Sequence, residues 1–63
     1  MAKPHTYQEE IGLVVSNMRR EKGLTQSQLA KLIGTSQSAI HRIEKGDQNT
    51  SLEMIKKIST ALG

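Results

Sequence analysis

The sequence predicts an all-α fold, four short helices around one small core, and three features of it carry that prediction. Apolar residues recur at helical spacing, i, i+3, i+4 and i+7. Threonines precede these segments, each with Glu or Gln three residues on, the pattern of a capping box. Glycines follow them at 23, 34 and 46, where a left-handed residue ends a helix without a Cβ penalty.

Residues 1–6 are expected to form a flexible N-terminal arm, since residues 1–5 have no periodicity and Pro4 resists helix. Residues 7–63 form the domain. Thr6 and Glu9 cap a first helix starting near Tyr7, with Glu9 and Glu10 at the positive end of its dipole. Ile11, Val14, Val15 and Met18 make its apolar stripe, and Gly23 ends it, with Leu24 packing back. Thr25 and Gln28 cap a second helix, which turns Leu29, Leu32 and Ile33 inward and Lys31 outward. Gly34 stops it, Ser36 caps the third helix, and Gly46 closes that one near Lys45. A turn this short favours a crossing of roughly 90–120°, and Ala30 is small enough to let the two backbones approach. Thr50 with Glu53, or Ser51 as a rival cap, starts a fourth helix. Its stripe is Leu52, Ile55, Ile58 and Leu62, helped by Met54 and Ala61.

Residues 26–45 organise the rest. On the third helix Ile40 and Ile43 mark the core side, flanked by Ala39 and Glu44. Gln37, Ser38, His41, Arg42 and Lys45 fall on the opposite arc of roughly 140°. That arc has no long apolar residue and carries an amide, a hydroxyl, an imidazole, a guanidinium and an ammonium. Gln can pair bidentately with adenine and Arg with guanine in the major groove. Gln26 opens the second helix, where backbone N–H groups and its own amide are available to a phosphate. Arg19 and Glu44 each lie at the margin of an apolar stripe, where they could meet as a partly buried pair.

The net charge of +3 is unevenly placed: Arg19, Arg20, Lys22, Lys31, Arg42 and Lys45 face only Glu21 and Glu44 between residues 19 and 45. A basic centre over a helix pair points to nucleic acid. With no Cys, disulfides, thiolate zinc sites and cysteine nucleophiles are excluded, and a reducing cytoplasm is the expected setting. His5 and His41 lack metal-ligand spacing, and Ser and Thr mostly occupy caps, so the chain is expected to be no enzyme and to need no metal or cofactor. No apolar run reaches the roughly 18 residues of a membrane span. A chain of this length buries only about 60% of its surface on folding, which makes a partner plausible.

From Ile11 to Gly63 the sequence resembles the Cro/repressor-type (Xre) helix-turn-helix family. The residues that carry the resemblance are 23–26, 28–30, Gly34, 36–38, Ile40, 43–46 and 61–63. It implies a compact four-helix, lambda-repressor-like domain whose second and third helices form the helix-turn-helix, the usual fifth helix being absent after Gly63. It implies base contacts from Ser36, Gln37, Ser38 and Arg42, with His41 used by some members only. Gln26, Lys45 and the following loop, Asn49 included, would approach phosphates, and Arg19 with Glu44 would form a buried ion pair. Two positions depart from the pattern: Thr50 stands where proline is common, and Asp47 where basic residues are frequent.

The implied function is sequence-specific binding of double-stranded DNA as a transcriptional regulator, with a homodimer on a two-fold operator as the expected assembly. The alternative keeps the fold and makes the chain an antitoxin or the N-terminal regulatory module of a longer protein, with a downstream domain or protein partner.

Overall fold

The computed structural model describes residues 6–63. Among them the chain forms α1 (Tyr7–Glu21), α2 (Gln26–Ile33), α3 (Gln37–Lys45) and α4 (Leu52–Leu62), and no strand. Thr6 is the N-cap of α1, as its spacing to Glu9 predicts; residues 1–5 of the expected arm lie outside the described residues.

Local chemistry sets these boundaries. The Thr6 hydroxyl accepts from the Glu9 N–H while the Glu9 carboxylate accepts from the Thr6 N–H, and Thr25 and Gln28 repeat the exchange at α2. Gly34 and Gly46 end α2 and α3 at φ 75° and 76°, in the left-handed region. The next residue then donates its N–H to a carbonyl five positions back, Thr35 to Ala30 and Asp47 to Arg42. At α4 the cap is Ser51, not Thr50. The helix starts one residue later than a Thr50–Glu53 box requires, and the Ser51 hydroxyl accepts from the Met54 N–H at 3.1 Å.

Packing centres on α3, which lies against both α1 and α2, while α4 closes the core against α2 and α1. Leu29, Ile40, Ile43 and Leu62 are fully buried; Val15, Ala30, Ile33 and Ile58 complete the core, with Ile11, Met18, Leu24, Met54 and Ala61 around it. Three residues expected inside are outside: Val14 is 55% exposed, Leu32 62% and Leu52 76%. On α1 the reason is Gly12. The buried positions of that helix are Gly12, Val15 and Arg19, which rotates the inward face away from Val14. A Cβ at position 12 would lie 2.5 Å from the Ile43 carbonyl oxygen and 2.6 Å from that of Glu44. The bare glycine therefore sets how closely α1 crosses the end of α3. On α2 the inward face is Leu29, Ala30 and Ile33, leaving Leu32 about 100° off its centre.

Candidate nucleic-acid interface

The core side of α3 is fixed by Ile40 and Ile43, so its other side must face solvent. Ser36, Gln37, Ser38, His41, Arg42 and Lys45 are all exposed. The five helical residues of the expected arc thus share one open row. Ser38, His41 and Arg42 hold no side-chain hydrogen bond or ion pair among the described residues, so their donors are available to a ligand. Ser36 caps α3 by accepting from the Ala39 N–H at 3.1 Å, which leaves its hydroxyl proton free to donate outward.

Beneath the row lies a polar network. Arg19, only 8% exposed, donates from Nε to Glu44 Oε2 at 2.6 Å and from Nη2 to Glu44 Oε1 at 3.0 Å. Its remaining Nη1 donates to the Leu24 carbonyl at 2.7 Å, so the guanidinium also holds the turn between α1 and α2. Burial pushes the Glu44 carboxyl up, but the hydrogen bonds from Arg19, Gln26 and Ser16 and the Arg19 charge outweigh it and hold the group below the usual carboxylate range. The hydrogen bond to Glu44 likewise raises Arg19 above its ordinary value, against the opposing pull of burial. No buried side-chain polar atom among the described residues lacks a partner.

Gln26 joins this network rather than standing alone at the start of α2. Its Nε2 donates to Glu44 Oε1 at 3.1 Å and its Oε1 accepts from Gln37 Nε2 at 2.6 Å. One N–H of its amide remains for another acceptor, beside the first-turn backbone N–H groups that have no intrahelical carbonyl. The sequence foretold the ion pair and the two glutamines separately. Their connection could not be read there, because it depends on how α2 is set against α3.

The loop after α3 is more enclosed than its polarity suggests. Lys45 and Asp47 form an exposed ion pair at 3.7 Å. Asn49 accepts a hydrogen bond from the Gln8 side chain of α1. Gly46 abuts Glu9, whose Cγ would stand 2.7 Å from a Cβ at position 46. Gln8 carried no signal in the sequence beyond lying in the first turn of α1. No group of three or more His, Asp or Glu among the described residues is placed to hold a metal ion, and no described helix is long and apolar enough to cross a membrane.

The fold has relatives among known proteins. An HTH-type transcriptional regulator of Methanothermobacter thermautotrophicus is 38% identical over 50 residues, 79% of this chain and 72% of its own length. An HTH-type transcriptional regulatory protein of Saccharolobus solfataricus is 36% identical over 50 residues, but this match spans only 16% of that protein. Among solved structures, the restriction-modification controller protein C.AhdI of Aeromonas hydrophila superposes with a TM-score of 0.84 at 38% identity, over 87% of this chain and 80% of its own. The clp gene regulator ClgR of Corynebacterium glutamicum does so with 0.93 at 27% identity, over 100% and 81%. The family model described as helix-turn-helix matches residues 15–63, from the middle of α1 to the end of α4. The chain belongs to the helix-turn-helix family, of the Cro/repressor (Xre) type.

Proposed function

We propose that this domain binds double-stranded DNA in a sequence-specific manner as a transcriptional regulator, with α3 in the major groove. The open row on α3 carries the reading. Its outward side chains are all hydrogen-bonding groups, while the same helix is anchored from behind by two fully buried isoleucines. Gln37, Ser38 and Arg42, with Ser36 and His41 at the margins, are the base-reading set. Lys45, the α2 N-terminus at Gln26 and the loop at Asn49 flank it as phosphate contacts. The regulators among the relatives and solved neighbours support the same assignment.

Affinity depends on salt through neutralised phosphates, and two copies read half-sites about 34 Å apart or a multiple of that. Selection of bound sequences from random DNA tests binding, specificity and spacing together. The expected result is an enriched, two-fold related motif, and Gln37→Ala or Arg42→Ala should each weaken discrimination at one base pair by about 1–3 kcal/mol at fixed salt. If no sequence were enriched, the protein-facing alternative would take precedence.

A further inference from the structure

Leu32, 62% exposed beside the buried Ile33, forms one wall of an open groove of about 530 Å³ between α2 and α4. Ile33 and Ala61, the more buried of the lining residues, form its floor. The α4 wall carries Glu53, Lys56 and Lys57, all exposed. None of these three holds a side-chain hydrogen bond or ion pair among the described residues. Lys31, next to Leu32 on α2, is exposed and equally without a carboxylate partner there, so three cations stand about the groove against one anion.

Charge and shape together restrict what fits. Covering unpaired ammonium groups is costly unless opposite charge arrives with whatever covers them. A phosphate backbone would answer the lysines but leave Leu32, Ile33 and Ala61 against water. A bilayer surface takes up a broad apolar face, whereas the apolar surface here is the inside of a cleft with charged residues along one wall. An acidic amphipathic helix meets both demands, since its apolar residues, three or four apart, enter the cleft while carboxylates on its flank meet the lysines. A second groove, between α1 and α4, has Glu10 as its one charged lining residue and does not share this preference.

We propose that the α2–α4 groove is a docking site for an acidic amphipathic segment of a partner protein, which seats an apolar side chain between Leu32, Ile33 and Ala61 and sets carboxylates against Lys56 and Lys57. No lining residue belongs to α3, so this surface is separate from the base-reading row, and a domain held on DNA by that row would still offer it. The proposal goes beyond the DNA-binding reading and does not require it. Leu32, which the packing of α2 leaves outside the core, becomes the apolar anchor of the site.

The test selects a phage-displayed random peptide library against the whole chain, with counter-selection against the Lys56→Glu, Lys57→Glu variant. Both substitutions are at exposed positions, so the variant should keep the wild-type urea midpoint. The enriched peptides should be net negative, with apolar residues three or four positions apart, and should shift the backbone amide NMR signals of residues 32–33 and 53–61. The charge-reversed variant should bind them at least about fivefold more weakly, the upper range for one exposed ion pair. Leu32→Ala should weaken them about fourfold or more, the equivalent of one buried CH₂. Added salt should weaken them further. Failure to enrich any peptide overturns the proposal, as do enriched peptides that are neutral or basic or that shift the α1–α4 groove instead. Phosphatidylglycerol vesicles or a random-sequence duplex that shift Lys56 and Lys57 and displace the peptide overturn it in favour of a membrane or a nucleic-acid surface. Selection of bound sequences from random DNA tests the DNA reading separately, and its failure leaves this result untouched.

Discussion

Arg19 and Glu44 meet as a bidentate pair, Nε to Oε2 at 2.6 Å and Nη2 to Oε1 at 3.0 Å, with both side chains at least 90% withdrawn from water. The pair ties α1 to α3 at the edge of the core that Val15, Ile40 and Ile43 share. Cutting one partner strands the other charge, at a cost of about 3–5 kcal/mol. Arg19→Met should therefore remove most of the cooperative urea unfolding transition. The double change Arg19→Met with Glu44→Leu, which leaves no orphaned charge, should recover much of it.

The same pair makes stability sensitive to acid in a defined direction. Glu44 titrates below its ordinary range in the folded chain, so the unfolded chain takes up its proton first as pH falls. Its contribution is fully present above the ordinary glutamate value of about 4.3 and is lost as pH drops through the lower folded value. Urea midpoints between pH 6 and pH 3 should fall more steeply for wild type than for the Arg19→Met, Glu44→Leu double variant, which has no carboxyl to titrate there and strands no charge. Parallel profiles would contradict this assignment.

Gly12→Ala should destabilise the domain although alanine is the better helix former. The gain in helix propensity is at most about 1 kcal/mol. Against it stand two backbone carbonyl oxygens, 2.5 and 2.6 Å from the added Cβ, which no side-chain rotation relieves. Overpacking of this kind costs about 1–3 kcal/mol, so the thermal midpoint should drop.

The two candidate caps of α4 are separable by mutation. Ser51→Ala should cost about 1 kcal/mol, because its hydroxyl holds the Met54 N–H. Thr50→Ala should be close to neutral in the same unfolding assay.

Lys45 has its charge partly engaged by Asp47 at 3.7 Å. In DNA titrations across salt, Lys45→Ala should reduce the slope of log K against log salt by about 0.9 if it touches one phosphate. If the loop docks as proposed, Asp47→Asn should tighten binding to all sequences alike, because it removes a negative charge from that flank without altering the α3 row. An unchanged affinity would place the loop away from the DNA.

Most of the architecture was legible in the residues because it is encoded locally. A Thr with Glu or Gln three residues on starts α1 and α2, Ser36 starts α3, and Gly23, Gly34 and Gly46 follow their ends, so these boundaries stand where local signals put them. What failed was inward direction. Val14, Leu32 and Leu52 look like core residues by type, yet which part of an apolar stripe is covered depends on the partner helix, and Gly12 shifted that part on α1. The outward row of α3 was legible because Ile40 and Ile43 leave only one face for it. The link from Gln26 to Glu44 and Gln37 was not, since it joins residues 18 and 11 positions apart through tertiary placement alone.

The contact at Gly12 is made with backbone atoms of α3. Because peptide carbonyls are the same in every sequence, that contact is indifferent to which side chains α3 carries on its far side. Residues 38, 41 and 42 can therefore be exchanged as a cassette, and the domain should keep its shape while its preferred site changes. Position 37 is the exception, since its amide is tied back to Gln26. Retargeting by substitution should be easy at three places and resisted at the fourth.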